Sequence, residues 1–105
     1  MHPAIDSLWK MIRNRQVKSL VESLGIEIES IEEDSIRGTM PVDSRTTQYF
    51  GILHGGASVA LAETLASIGA LVHIDQEKEV VVGLEINANH LRSVKSGKVT
   101  GVGKP

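Results

Sequence analysis

The sequence predicts an α+β fold in which a curved antiparallel sheet wraps one long central helix. Two observations indicate this fold. Residues 55–72 hold one charged side chain, Glu63, among many Ala, Gly, Ser and Thr residues, which is typical of a helix buried on all sides. Short runs of alternating apolar and polar residues, the period of a half-buried strand, lie before and after this segment. Strands grouped on either side of one helix favour an antiparallel sheet that packs against it.

The N-terminal part is predicted to be helical over residues 3–24. Apolar residues recur there at i, i+3, i+4 and i+7 in two amphipathic stretches, which form two helices or one broken helix. Gly25 follows as a residue that ends the second stretch. The apolar positions are Ile5, Leu8, Trp9 and Ile12, followed by Val17, Leu20, Val21 and Leu24.

Four strands are predicted beyond Gly25. Alternation over residues 26–29 and 36–40, on either side of an acidic turn, indicates a β-hairpin. Residues 80–89 alternate strictly and form the longest predicted strand, and a Ser-Gly turn leads to a last strand over residues 98–103. Because a chain of 105 residues suffices for one compact domain, we expect a single domain over residues 1–105 with its core in residues 25–105.

Composition excludes several classes of partner and cofactor. A net charge of −2 and three aromatic residues provide neither a basic field nor a stacking platform for nucleic acid. No cysteine is present, so disulfides, thiol nucleophiles and thiolate zinc sites are excluded. His54, His73 and His90 lack ligand-like spacing, and we expect no metal.

A membrane location is not expected. The central segment approaches the length of a membrane span, but the Glu63 carboxylate would cost about 2.5 to 3.5 kcal/mol at the bilayer centre. The first residues do not resemble a secretion leader. We therefore expect a cytoplasmic protein.

Glu63 has two interpretations. No Lys or Arg lies within four residues of it, so it has no local ion-pair partner on its helix. Its side chain either faces solvent along a narrow edge of the helix or lies in an apolar wall, where it would act as nucleophile or general base.

The central helix is predicted to begin at a pair of glycines, Gly55 and Gly56. Glycines allow a ligand to approach the backbone N–H groups that the first helical turn leaves unpaired, which makes this point a candidate oxyanion site. Glycines at such a point also serve as packing or turn residues. Gln48, shortly before them, is either an amide donor toward developing charge or a surface residue.

The helix geometry predicts a homodimer if Gly55 and Glu63 act on one carbonyl. Glu63 lies eight residues after Gly55, about 12 Å along the axis at 1.5 Å per residue. A reacting carbon must lie about 3 Å from both the nucleophile and the oxyanion donor. The two groups must then come from antiparallel helices of two subunits, in a homodimer or a dimer of dimers.

Three separated motifs give the chain a specific resemblance. The motifs are Met40-Pro41-Val42-Asp43-Ser44-Arg45-Thr46, then Leu53-His54-Gly55-Gly56-Ala57-Ser58 with Leu61-Ala62-Glu63, and Val82-Gly83-Leu84-Glu85-Ile86-Asn87-Ala88-Asn89-His90. Together they resemble the hotdog-fold acyl-CoA thioesterases, in particular the subgroup acting on aromatic acyl-CoAs: phenylacetic-acid-degradation thioesterases, Arthrobacter-type 4-hydroxybenzoyl-CoA thioesterase and the 1,4-dihydroxy-2-naphthoyl-CoA thioesterases of menaquinone synthesis. The resemblance covers roughly residues 24–105.

The resemblance implies roles for individual residues. Glu63 is similar to the family's catalytic carboxylate, Gly55 to the residue whose N–H polarises the thioester carbonyl, and Gln48 and His54 to the pair that orients the substrate. Ser67 matches a hydroxyl beside the carboxylate. The positions that resemble the family's CoA-binding residues are Gly83, His90, Leu91, Arg92 and Ser93.

The implied reaction is hydrolysis of an aromatic acyl-CoA to the free acid and CoA, without a cofactor other than the CoA of the substrate. Members of the family continue past the segment matching Lys104-Pro105 with two more strands, so we expect either a truncated form of that fold or an assembly that compensates for the two strands. Two alternatives remain open: a hotdog hydratase or dehydratase using His54, and a non-catalytic acyl-CoA-binding domain.

Overall fold

A computed structural model describes residues 2–16, 18–72, 83–87 and 96–104. Its four strands form one antiparallel sheet in the order β1-β2-β4-β3, and the long helix α3 packs against it. The predicted α+β architecture is therefore confirmed. The elements are α1 (Pro3–Arg13), α2 (Leu20–Ser23), β1 (Glu27–Ile31), β2 (Ile36–Pro41), α3 (Gly55–Val72), β3 (Gly83–Asn87) and β4 (Lys98–Lys104).

The N-terminal helices differ from the prediction in extent. α1 covers its predicted stretch, but α2 is a single turn, so a helix running from Val17 to Leu24 is wrong. The reason is a capping box at Ser19: its Oγ accepts from the Val21 N–H at 3.2 Å, and its own N–H donates to Glu22 Oε1 at 2.7 Å. This arrangement starts a helix at Leu20 and stops one from running through Ser19. Val17 itself lies outside the described residues.

The strands lie where the alternation in the sequence predicts them. β1 and β2 form the expected hairpin, with a bulge between Ile28 and Ser30, and β4 lies beside β2 along its whole length. Of the strand predicted over residues 80–89, the described part is residues 83–87, which form β3 beside β4. The remainder of that prediction lies outside the described residues.

The helix α3 packs against the sheet at a notch that two glycines form. Gly38 of β2 and Gly101 of β4 are register partners, and the fully buried Leu65 of α3 lies over both. A Cβ at Gly101 would lie 2.6 Å from Leu65 Cδ1, and one at Gly38 would lie 2.9 Å from Leu65 Cδ2. The two glycines therefore form the space that the leucine fills. One turn later the glycine is on the helix and the large side chain is on the sheet, because Gly69 of α3 lies beside Ile36 of β2.

Burial of α3 on all sides was predicted, and this prediction is wrong for the single chain. The helix buries Ala57, Leu61, Leu65 and Val72, whereas the opposite face is exposed, including 64% of Val59. Within the described residues, the sheet contacts the side of the helix that carries Leu61 and Leu65. Within the described part of the chain, α3 is the helix whose length and apolar character would suffice to cross a membrane, as they would in many core helices of soluble proteins.

The notch predicts a specific effect of Gly101→Ala. The added methyl group overlaps Leu65, and overpacking of this kind costs about 1 to 3 kcal/mol of unfolding free energy. Urea denaturation measures the loss. Gly69→Ala is the matched control, because its Cβ meets Ile36 at an ordinary 3.5 Å and alanine favours the helix. In a double-mutant cycle, Gly101→Ala should cost less unfolding free energy when Leu65 is also replaced by Ala. Losses of unfolding free energy that add fully would contradict the notch.

Candidate active site

The connection from β2 to α3 is held by a buried threonine. Thr46 is 1% exposed, and its hydroxyl donates to the Pro41 carbonyl at 2.7 Å and accepts from the Asp43 N–H at 3.1 Å. Arg45 pairs with the Asp43 carboxylate at 2.6 Å, and this hydrogen bond lowers the pKa of the Asp43 carboxyl. The connection therefore has a fixed conformation where it leaves the sheet.

Gln48 lies in the second part of this connection, in a short loop closed by a bridge between Thr47 and Leu53. Its N–H donates to the Ile52 carbonyl at 2.9 Å, and its side-chain Oε1 accepts from the Phe50 N–H. The side-chain NH₂ of Gln48 makes no hydrogen bond within the described residues and can therefore donate to a ligand. The aromatic rings at the loop tip, Tyr49 and Phe50, are exposed.

His54 caps the start of α3. Its Nδ1 accepts from the Gly56 N–H at 2.8 Å, and its carbonyl accepts from the Ala57 and Ser58 N–H groups at 3.0 and 3.3 Å. Since Nδ1 accepts, the neutral imidazole carries its proton on Nε2, which can donate to a ligand. Among the described residues, nothing accepts from the Gly55 N–H, which is exposed at the positive end of the helix dipole.

Glu63 and Ser67 lie further along α3, one turn apart on one face. Both side chains are exposed in the single chain, and Glu63 has no hydrogen bond or ion pair within the described residues. Of its two sequence interpretations, the solvent-facing one describes the single chain. Glu63 nevertheless lies at the edge of a concave surface, because it lines a cavity of about 730 Å³ between α3, β1 and the N-terminal helices.

The structure thus divides the predicted site residues into two groups. Gln48, His54 and Gly55 lie together at the start of α3, and Glu63 and Ser67 lie more than two turns along it. Gly83 is the first residue of β3, whereas the predicted CoA-binding residues His90, Leu91, Arg92 and Ser93 lie outside the described residues. No cluster of three His, Asp or Glu side chains that could hold a metal ion occurs in the described ranges.

Sequence reasoning missed the residues of the N-terminal helices that line the same cavity as Glu63. Met11 of α1 and Leu20 of α2 line it, although both are more than half exposed. Met11 falls outside the apolar period that predicts α1, and this irregularity was the one sequence signal that could have indicated a surface role.

Comparisons with known proteins decide the family. Residues 50–105 match the Thioesterase superfamily. Thioesterase PA1618 of Pseudomonas aeruginosa is 46% identical over 104 residues, covering 93% of this chain and 72% of the relative. The chain belongs to the thioesterase superfamily. A crystal structure of a PA1618 variant superposes with a TM-score of 0.68 at 36% identity, covering 95% of this chain and 69% of that chain. The predicted hotdog fold is confirmed.

Other members of the thioesterase superfamily carry functional names. The 1,4-dihydroxy-2-naphthoyl-CoA hydrolase of Escherichia coli is 54% identical over 87 residues, covering 83% of this chain and 63% of the relative. The proofreading thioesterase EntH of Cronobacter turicensis is 52% identical over 89 residues, with 85% and 64% covered. The prediction of a thioester-hydrolase family is thereby confirmed. The chain spans 62 to 72% of the length of its curated relatives.

The cap at the start of α3 makes Gly56→Ala informative. A Cβ there would lie 2.8 Å from His54 Cε1 and 2.9 Å from Nδ1, so the ring must move and the cap is lost. We expect the unfolding free energy to fall by about 1 kcal/mol and the ¹⁵N resonance of Nδ1 to shift. Gly55→Ala is the matched control, because nothing lies within 4 Å of its Cβ. An unchanged Nδ1 resonance in Gly56→Ala would contradict the cap.

Proposed function

We propose that the chain hydrolyses acyl-CoA thioesters, with an aromatic acyl group as the preferred substrate, to the free acid and CoA. The observation that carries the proposal is the Gly55 N–H, which has no acceptor within the described part of the chain and begins the helix that carries Glu63. The aromatic preference is supported by the hydrolase of E. coli that is named for a naphthoyl-CoA substrate. The proposed compartment is the cytoplasm.

In the proposed mechanism the Gly55 N–H donates to the thioester oxygen as negative charge develops on it. Glu63 of the partner subunit either attacks the carbonyl carbon or takes a proton from the attacking water. If Glu63 attacks, the carbon–sulfur bond breaks, CoA leaves as the thiolate, and water hydrolyses the mixed anhydride that remains to the free acid and the Glu63 carboxylate. If Glu63 takes the proton, the hydroxide of the water adds to the carbonyl carbon, and breakage of the carbon–sulfur bond releases the free acid and the CoA thiolate. The Gln48 amide and the His54 Nε2–H donate to the acyl part, and Ser67 lies beside the carboxylate. No cofactor takes part.

The pantetheine and nucleotide part of CoA is proposed to bind at Gly83 and at residues 90–93. Arg92 suits this role chemically, because a guanidinium forms paired hydrogen bonds to phosphate oxygens. Crystallised variants of relatives support the choice of Gln48 and Glu63 by residue type. In thioesterase PA1618 a glutamine is replaced by alanine. In a Staphylococcus aureus protein, one variant replaces a glutamine by alanine and another replaces a glutamate by alanine.

A thiol-release assay with a panel of benzoyl-, hexanoyl- and crotonyl-CoA tests the reaction. Hydrolysis releases one thiol per ester, with benzoyl-CoA the fastest. A hydratase would lower the enoyl absorbance of crotonyl-CoA without free thiol, and a binding domain would do neither. Either of these results would contradict the proposed function.

Glu63→Gln should lower kcat for thioester hydrolysis by roughly two to four orders of magnitude, the usual contribution of a positioned acid–base or nucleophilic group. Substrate binding should be largely kept, since the amide has nearly the same size as the carboxylate. Glu29→Gln is the matched control, because Glu29 is an exposed carboxylate of β1 paired with Arg37, outside the cavity. A Glu63→Gln enzyme within fivefold of the wild type would exclude the carboxylate from the chemistry.

The two-subunit site predicts that Val59→Lys abolishes activity by separating the subunits. Val59 is 64% exposed on the face of α3 that a second copy is proposed to cover, and a buried lysine there would cost several kcal/mol. Sedimentation velocity should show dimers, or dimers of dimers, for the wild type and monomers for the variant. Gln16→Lys, which adds the same charge on an exposed residue outside α3, should change neither property. A monomeric and active wild type would contradict the arrangement.

A further inference from the structure

The cavity beside Glu63 has one apolar wall that belongs to the N-terminal helices. Met11 and Ile12 of α1 and Leu20 and Val21 of α2 line it, together with residues of α3 and β1. Met11 is 52% exposed and Leu20 is 64% exposed. Two large apolar side chains from different helices thus remain open to solvent around one concave space.

The polar side chains on this wall already bond to one another. Ser19 donates to Glu22 Oε1 through both its N–H and its hydroxyl at 2.7 Å, and Arg15 Nε lies 3.5 Å from the same oxygen. On α3, which also lines the cavity, the Thr64 hydroxyl donates to the Ala60 carbonyl at 2.7 Å. The polar groups of Ser19 and Glu22 are thus engaged with each other, and the apolar part of this wall consists of Met11, Ile12, Leu20 and Val21.

The reactive end of the cavity is on α3. Glu63 and Ser67 line it and have no side-chain hydrogen bond within the described residues. A concave space of about 730 Å³, lined mainly by apolar side chains together with polar ones that include Glu63, Ser67 and Glu27 of β1, has the size and character of a small-molecule site.

We propose that α1 and α2 form the acyl-binding wall of the site, so that Met11 and Leu20 set the length of the apolar acyl group held beside Glu63. The inference rests on the proposed function and adds the substrate-recognising residues to it. The occupant is the acyl group itself and not a second copy of the chain, because the carboxylate and the hydroxyl open into the same space as the apolar side chains.

Binding of S-alkyl-CoA thioethers, from butyl- to dodecyl-CoA, tests the wall without any reaction, since these compounds cannot be hydrolysed. Each methylene that the wall covers should lower Kd about fourfold. Met11→Trp fills part of the cavity. In this variant Kd should therefore stop falling at a shorter alkyl chain than in the wild type, and Kd for dodecyl-CoA should be about tenfold or more higher. Leu20→Trp provides the same test from the other helix, and thermal melts confirm that each variant is folded.

Lys10→Trp is the matched control. It places the same bulk on α1 next to Met11 but on an exposed residue that does not line the cavity, and its Kd series should match the wild type. Thioester hydrolysis measured on the same proteins separates the two proposals. Chain-length selective binding without thiol release would contradict the proposed function and support the wall.

Thiol release with identical chain-length profiles in wild type, Met11→Trp and Leu20→Trp would overturn the wall and leave the proposed function intact. Weaker self-association of both tryptophan variants with unchanged thioether binding would also overturn it, because a second copy would then occupy the cavity.

Discussion

The packing of Leu65 into the glycine notch of the sheet determines which residues of α3 face outward. The side chain lies over Gly38 and Gly101, where any larger residue would hold the helix away from the sheet. Successive helical residues are rotated by about 100°. Glu63 and Ser67 lie two positions before and after Leu65, each about 200° around the axis, and therefore point away from the sheet. The direction of the proposed catalytic carboxylate thus depends on two glycines that are distant from it.

The same rotation places Glu63 at the border between the side of α3 that lines the cavity and the side that is exposed. The cavity touches Glu63 and Ser67 together with Ala60 and Ile68 on one side of the helix, and Val59 lies on the exposed side. A group at such a border contacts a ligand held by its own chain and any surface that covers the helix from outside. Exposure in the single chain is therefore compatible with a role in a closed site.

The sequence predicted the large elements because their patterns are local. The ends of α3 agree with its predicted bounds. Ile36 and Met40, two of the residues whose alternation predicts β2, are buried. The extent of α2 was wrong because the capping box at Ser19 outweighed the apolar period. Burial of α3 on all sides was wrong because periodicity reports how apolar a helix is and not how many chains cover it. The cavity wall was missed because Met11 and Leu20 come together only through the packing of separate helices.

The start of α3 shows why the proposed oxyanion donor is a glycine's backbone and not a side chain. The His54 ring accepts the Gly56 N–H, and the His54 carbonyl accepts the next two N–H groups, so the cap uses every early donor except that of Gly55. A helix start capped by solvent would offer several competing donors. Here a single N–H of the first turn remains without an acceptor among the described residues, in a backbone fixed by the cap and by the bond from the His54 N–H to the Thr46 carbonyl. A donor that is already oriented stabilises developing charge without first reorganising, which is the property an oxyanion site requires.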